Sequence, residues 1–184
     1  MEFDAFAALA RSRRTSMVVD RSRDVPHDLI VALCDLAQWA PNHKRTWPWR
    51  FALLEGGARA RVGSVMANVL ESRGVDSARI EKTRGKYLRT PAVLAVGTAP
   101  GDSAERTSEN RDAVAASIQT FMLGAATVGL ATYWGSCPTP CQEAVAAECG
   151  FDPGTHITAL IYLGWSAGAA PIPERPPVDV TFLE

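Results

Sequence analysis

The sequence predicts a sheet covered by helices on both faces, which is an α/β or an α+β architecture. Helical and extended patterns alternate along its 184 residues. The strand patterns at residues 92–96 and 157–163 are apolar almost throughout. Strands of this kind are buried on both faces, so helices must lie on each side of the sheet. No repeat or change of composition divides the chain, whose length fits one domain of about 100–200 residues.

Helices are predicted where apolar residues recur at every third or fourth position. The first spans Phe3–Ser12, and the second opens at Pro26, a favoured first-turn residue, and stops before Pro41. Gly56 and Gly57 are predicted to form the turn before the third helix. The predicted helices after the first cover residues 26–39, 58–73, 77–87, 113–131 and 140–149.

The helix predicted at residues 113–131 is apolar on nearly all sides. We therefore expect it to be covered all round, by its own fold or by a partner subunit. It is long enough to cross a bilayer, but its serine, glutamine and threonine residues favour burial within protein. Residues 100–110, just before it, are predicted as a polar loop and as the least ordered part of the chain.

The remaining elements are strands and a tail. Strands are predicted at residues 50–55, 92–96, 131–134 and 157–163. Residues 169–184 contain four prolines, so they cannot form a helix and are predicted to extend as an arm or an edge strand. The expected organisation is one domain over residues 1–184 with 169–184 as a C-terminal arm.

Composition excludes several classes of function. Nineteen basic and twenty acidic residues leave a net charge of −1, so no excess of charge indicates nucleic acid or a membrane surface as partner. The four cysteines lack the spacing of a zinc site or a disulfide framework. We expect no metal and a reduced, cytoplasmic location, because the N-terminal residues are also unlike a secretion signal. Neither common glycine-rich phosphate loop occurs.

The densest group of anion-binding side chains follows the first helix, at Arg11, Arg13, Arg14, Thr15 and Ser16. Guanidinium groups and hydroxyls suit a phosphate, since arginine offers paired donors and keeps its charge. The alternative is that these cations only complement the C-terminal end of the helix. Composition alone favours this second interpretation.

Large planar side chains are concentrated in the segment 40–51, which contains His43, Arg45, Trp47 and Trp49. Loops rarely hold so many unless these side chains pack on a flat ligand or line a core. Trp134, after the long predicted helix, is a further candidate wall of the same kind. The residues alone do not separate ligand contact from core packing.

Together these segments resemble the nitroreductase family of flavoproteins, and in particular its small members with an A-P-[DN]-H-[KR]…P-W motif. The matching segments are R-R-T at residues 13–15, A-P-N-H-K at 40–44, P-W-R-F at 48–51, the helix and G-L-A-T at 116–132, and Y-L-G at 162–164. The sequence departs from the family at Thr15, usually serine, at Met17, often basic, and at Arg45 and Trp47, often amides.

The resemblance implies a three-layer α+β fold with a central, mostly antiparallel sheet flanked by helices. It also implies a homodimer that binds FMN at each subunit interface and buries the long helix between subunits. The residues it implies for FMN are Arg13, Arg14, Thr15, Trp134, Gly135 and Ser136 of one subunit, with Trp39 and His43 of the other. It assigns the nicotinamide cofactor, less firmly, to Gly124, Ala125, Ala126, Thr127, Val128 and Gly129.

The function implied is hydride transfer from NAD(P)H through FMN to a nitro, quinone or related small-molecule acceptor. No side chain is expected to be catalytic, since the flavin N5 is the redox centre and the protein supplies binding and orientation. Two alternatives are a specialised FMN-dependent oxidase or dehydrogenase of one biosynthetic metabolite, which Arg45 and Trp47 favour, and a flavin-binding protein without turnover.

Overall fold

The structure is a computed structural model that describes residues 2–184. One four-stranded antiparallel sheet has the strand order β1-β2-β4-β3. The strands are β1 (Trp49–Leu54), β2 (Ala92–Thr98), β3 (Leu130–Gly135) and β4 (His156–Trp165). The helices are α1 (Phe3–Ser12), α2 (His27–Ala37), α3 (Gly56–Glu71), α4 (Ser77–Gly85), α5 (Ala104–Thr127) and α6 (Gln142–Glu148). Short 3-10 turns cover His43–Arg45, Lys86–Arg89 and Thr139–Cys141.

The central strand β2 is buried along its whole length and contributes to a core on each face of the sheet. Ala92, Leu94 and Val96 pack with α2 and α5. Val93 and Ala95 pack with α3 and α6 on the opposite face. The predicted α+β class and three-layer arrangement are thus confirmed, and both faces carry apolar side chains because both are covered.

Helix α5 begins at Ala104, so the polar loop predicted at residues 100–110 is wrong. The Ser103 hydroxyl accepts a hydrogen bond from the Arg106 backbone N–H at 3.1 Å and caps the helix. The charged residues that follow lie mostly on exposed faces of the helix, so their polarity reflects exposure and not disorder. The helix ends at Thr127, before residue 131, because Gly129 adopts a φ of +83° and turns the chain into β3.

Helix α5 is covered on one side only by its own chain. Val114, Ile118 and Phe121 pack against α2 and the sheet, whereas Ala116 and Gln119 are exposed. Among residues 2–184, no helix is both long enough and apolar enough to cross a membrane.

Two further expectations are corrected. Gly56 and Gly57 open α3 and do not form a separate turn before it. Gly56 has a φ of +47°, which only glycine adopts without strain, so the turn and the start of the helix coincide. The tail 169–184 contains no strand and no helix, and its edge-strand alternative is not observed in this chain.

Candidate functional site

The two arginines after α1 are held beside the start of β3. Helix α1 ends with the Arg13 backbone N–H bonded to the Leu9 carbonyl at 3.1 Å. The chain then runs alongside β3, where Thr15 bridges Thr132 and the Ser16 N–H bonds the Thr132 carbonyl at 3.0 Å. This pairing fixes the backbone that carries Arg13 and Arg14. Thr15 takes part through its backbone and is itself exposed.

Arg13 and Arg14 line a cavity of about 540 Å³. The Arg14 side chain donates to the Arg13 carbonyl at 2.6 Å, yet its Nε is buried without a partner. Burial lowers the pKa of Arg13, and the charges of Arg14 and then Arg175 lower it further. Within residues 2–184, neither Arg13 nor Arg14 forms an ion pair with a carboxylate.

This cavity is therefore a cationic site, and the Nε–H of Arg14, one of its lining residues, is buried without a partner. An unpaired buried N–H and adjacent like charges both destabilise the protein until an anion occupies the cavity. Arg13 is also the C-cap residue of α1, so its charge complements the carbonyl end of that helix as well. Arginine pairs of this kind suit a phosphate group.

The stretch 124–129 lies at the end of α5 and reaches the same cavity. Ala126 and Gly129 line it. Gly124 is instead packed against α2, where a Cβ would lie 2.9 Å from the side chains of Leu33 and Leu36. Only part of the stretch thus faces the arginines, and the carbonyl end of a helix does not itself attract phosphate.

Trp134, Gly135 and Ser136 occupy the far end of β3, which is an edge strand of the sheet. The Trp134 side chain is 37% exposed. A Cβ at Gly135 would lie 3.0 Å from the Leu160 carbonyl oxygen, so close packing of the sheet requires this glycine. The three residues form an accessible strand end, and the two arginines lie beside the opposite end of the same strand.

Trp39 and His43 lie in a different region, after α2. Trp39 is 82% exposed. The His43 Nδ1 lies 2.9 Å from Glu109 Oε1 and 3.0 Å from Arg106 Nη1, and Arg106 also bonds the other carboxylate oxygen of Glu109. A guanidinium nitrogen can only donate, so Nδ1 either donates to Glu109 or accepts from Arg106, according to the tautomer. With either partner on Nδ1, Nε2 is available to a ligand.

The loop that carries His43 has an unusual backbone. Lys44, Arg45 and Trp47 have φ values of +60°, +53° and +49°, a region that side-chain-bearing residues seldom adopt. Asn42 fixes the loop, since its Oδ1 accepts from the Trp47 N–H at 3.0 Å. Its Nδ2 donates to the Thr46 hydroxyl at 3.0 Å, and this hydroxyl bonds the α5 side chain of Asn110.

The loop side chains divide between core and surface. Trp49 is buried, whereas Trp47 is 58% exposed and tilts against it with ring centroids 5.8 Å apart. Core packing therefore accounts for Trp49 but not for Trp47. Trp47 is the side chain that remains available to a flat ligand.

The predicted site residues form two groups at opposite ends of α5. Glu109, which holds His43, and Ala126, which lines the arginine cavity, are 17 residues apart on this helix, about 25 Å at the rise of an α-helix. A ligand pocket of about 300–1,000 Å³ is roughly 10 Å across. One chain therefore does not bring Arg13 and His43 to the same ligand.

The sequence did not identify several members of these two groups as candidate site residues. Glu109, Arg106 and Asn110 fall within the stretch 100–110 that is predicted as a polar loop, although Ser103 followed by an acidic first turn is a helix-start signal. Arg175, whose charge acts on Arg13, lies in the proline-rich tail. Its position carried no local signal, because only the tertiary path of the tail brings it near Arg13.

Comparison with known proteins gives consistent relatives. A sequence model described as the Nitroreductase family matches residues 10–165. The Bacillus subtilis (strain 168) protein YfhC, whose name describes a candidate NAD(P)H nitroreductase, is 25% identical over 179 residues, covering 96% of this chain and 92% of its own.

Two solved structures share the fold. A nitroreductase-like family protein from Bacillus cereus superposes with a TM-score of 0.82 at 24% identity and 98% coverage of both chains. The FMN-dependent nitroreductase NfnB from Mycobacterium smegmatis, solved in complex with NADPH, superposes with a TM-score of 0.72 at 18% identity, covering 94% of this chain and 95% of its own.

Proposed function

The chain belongs to the nitroreductase family, and we propose that it is an FMN-dependent oxidoreductase. It takes hydride from NAD(P)H and delivers it to a nitro, quinone or related small-molecule acceptor. The observation that carries this proposal is the arginine cavity, which combines adjacent unpaired cations with a buried, unbonded Nε of Arg14. The A-P-N-H-K and P-W segments support membership of the small subgroup of the family.

The cavity fits the phosphate end of FMN. Arg13 and Arg14, with the charge of Arg175 nearby, would hold a phosphate there and have their charges neutralised by it. Thr15 and Ser16 add a hydroxyl and a backbone close to the arginines. Threonine keeps the hydroxyl of the family's usual serine, but Thr15 is exposed and is not among the residues that line the cavity, whereas Ser16 is.

FMN, when bound, supplies the hydride-accepting N5 and so links oxidation of NAD(P)H to reduction of the second substrate. Trp134, Gly135 and Ser136 line the flavin from the accessible end of β3, where backbone and hydroxyl donors favour negative charge on the ring. No side chain of the chain is needed as nucleophile or metal ligand.

The site is completed by a second copy of the chain. The two residue groups lie at opposite ends of α5, so a two-fold axis across the middle of this helix places the His43 end of one copy beside the arginine end of the other. The exposed Ala116 and Gln119 at mid-helix allow a second helix to approach closely. Trp39 and His43 then reach the flavin of the partner.

Residues 169–184 act as the arm of this dimer. Val178, Phe182 and Leu183 are 87%, 88% and 91% exposed in the single chain. Large apolar side chains exposed in a row favour burial against another surface. The rest of the chain forms one domain. All four cysteines are free, which supports the cytoplasm as the location.

In this proposal the stretch 124–129 contacts one part of the extended nicotinamide dinucleotide, at the rim of the same cavity. Ala126 and Gly129 line it beside the arginines, which accounts for the part of the stretch 124–129 that is not packed in the core. FMN stays bound throughout the two-step cycle, and NAD(P)H and the second substrate contact it in turn.

A specialised oxidase or dehydrogenase is the second candidate, and Trp47 favours it. This exposed ring lies on a loop with a strained backbone, and strain of this kind concentrates at functional sites. A tryptophan there narrows the pocket and selects one planar substrate. Anaerobic mixing separates the candidates, because rapid bleaching by NADH or NADPH supports the reductase and no bleaching supports the oxidase.

The experiment that tests the proposed function is direct. Purified protein is expected to be yellow, to release FMN on heating, and to be bleached anaerobically by NADH or NADPH. Addition of a nitroaromatic or a quinone then restores the oxidised spectrum. A protein that stays colourless after incubation with FMN contradicts the proposal, and one that binds FMN without any turnover supports a binding role instead.

A further inference from the structure

A second cationic cleft lies on the other face of the sheet, along α4. It has a volume of about 520 Å³ and is lined by Arg79, Lys82, Lys86 and Arg89, with Ala78 and Thr83. The basic residues follow helical spacing from α4 into the Lys86–Arg89 turn. We call it the α4 cleft, and its lining contains no acidic residue.

The cations of the α4 cleft are not neutralised within residues 2–184. None of them forms an ion pair. The nearby carboxylates are engaged elsewhere, because Glu81 pairs with Arg84 at 3.2 Å and Asp76 caps the helix by accepting from the Arg79 N–H. Positive charge is thus concentrated in a chain whose net charge is only −1.

Helix stability does not explain this arrangement. Arg79 lies in the first turn of α4, where the helix dipole disfavours a cation. Like charges three or four positions apart also destabilise a helix. Burial lowers the pKa of Lys86; the charges of Arg89 and Arg79 add to this effect, while Cys137 and Cys141 oppose it. A bound anion would relieve each of these costs.

The α4 cleft adjoins the proposed flavin wall. Lys86 is close enough to Cys137, the residue after Ser136, for the two groups to influence each other's pKa. Arg89 acts in the same way on Tyr162, whose ring packs edge-on against Tyr133 at 5.7 Å. Tyr87, the residue after Lys86, stacks on the same Tyr162 ring at 5.5 Å, so the α4 cleft lies behind the end of the edge strand β3 that carries Trp134–Ser136. In the proposal below, an extended dinucleotide passes around this edge of the sheet.

We propose that the α4 cleft binds the 2′-phosphate of NADPH and makes this protein prefer NADPH to NADH. The inference rests on the proposed function, because it assumes a nicotinamide dinucleotide as reductant. A phosphomonoester adds about −1.5 to −2 charges at neutral pH, which NADH lacks. Arg79 and Arg89 can bind it through paired N–H donors, and Lys82 and Lys86 add point charges.

The probe is adenosine 2′,5′-bisphosphate, compared with adenosine 5′-phosphate, titrated calorimetrically into the oxidised, FMN-loaded protein. We expect the bisphosphate to bind about tenfold more tightly than the monophosphate. The variant Arg79→Gln/Lys82→Gln should lose this difference, and its KM for NADPH should rise about tenfold while kcat and the KM for NADH stay unchanged. Both side chains are exposed, so folding is preserved.

The matched control is Arg84→Gln, which removes a cation from the same helix but outside the cleft. It should bind the bisphosphate as the unmodified protein does. Equal affinities for the two adenosine phosphates, or an equal effect of Arg84→Gln and the double variant, would overturn the proposal. Failure of the proposed function is seen separately, as a protein that holds no FMN or is reduced by neither nucleotide.

Discussion

Replacement of Arg13 by alanine should weaken FMN binding without weakening the folded chain. Arg13 lies in the cavity beside Arg14, and burial together with the charges of Arg14 and Arg175 lowers its pKa. A lowered pKa of a base means that its charged form is destabilised in the folded protein at every pH below that pKa. The phosphate of FMN offsets this cost, so the arginine is favourable only when the flavin is bound.

The size of the effect follows from the contact. A hydrogen bond to a charged group contributes about 1.5–3 kcal/mol, so Arg13→Ala should raise the Kd for FMN by about 10–150-fold. The apoprotein should melt at the same temperature or slightly higher, because a repulsion between arginines is removed. The FMN-loaded protein should lose at least about 1.4 kcal/mol of ligand-induced stabilisation for a tenfold weaker Kd.

The assay is fluorescence titration of apoprotein with FMN, combined with melting curves with and without the cofactor. Arg73→Ala, at an exposed position beyond α3, is the control and should change neither quantity. An unchanged Kd for FMN in Arg13→Ala refutes the phosphate role. A large loss of apoprotein stability would show instead that Arg13 holds the fold.

The remaining predictions concern the dimer, the His43 cluster and the packing of α3. Ala116→Arg should give a monomer in analytical ultracentrifugation and should lose FMN. Asn68→Arg, at an exposed position of α3, should stay dimeric. A dimeric Ala116→Arg protein would argue against pairing through α5. Glu109→Ala leaves the Arg106 donor as the partner of His43 Nδ1, so nitrogen-15 spectra should place the ring proton on Nε2. A ring proton on Nδ1 in this variant would contradict the contact. The pKa of Glu109 is lowered from 4.5, chiefly by the His43 hydrogen bond. The stabilisation from this contact is therefore complete above pH 4.5 and is lost as the pH falls through the lowered pKa. Melting curves at acid pH should show this loss. Gly63→Ala should destabilise the protein by about 1–3 kcal/mol in urea unfolding, because the added Cβ overlaps the Arg84 carbonyl oxygen. Gly85→Ala should be neutral or stabilising, because a Cβ at that position meets no other atom.

The fold could be predicted wherever burial left a pattern in the sequence. The apolar runs of β2 and β4 predicted a sheet covered on both faces, and α1 was predicted at its observed limits. The start of α5 could not be predicted from apolar periodicity, because its first turns carry charged side chains on exposed faces. In the tail, the prolines excluded a helix, and no other local pattern predicted its path.

The candidate site was predicted only as a list of residues. The resemblance implies a flavin site with Arg13 from one subunit and His43 from the other, and within one chain the two residues lie near opposite ends of α5. That separation depends on tertiary structure, since the loop 42–47 is fixed by α5 side chains such as Asn110. For the same reason Arg175 and the α4 cleft had no signal in local sequence.

The measurement that tests the shared flavin site most directly is complementation between two defective chains. Arg13→Ala and His43→Ala, each purified alone with a different tag, should both bind FMN weakly. A heterodimer of the two has one doubly defective site and one site built from unmodified residues. It should bind one FMN with the affinity of the unmodified protein. If the heterodimer binds FMN as weakly as its parents, each site lies within a single chain and the account is contradicted.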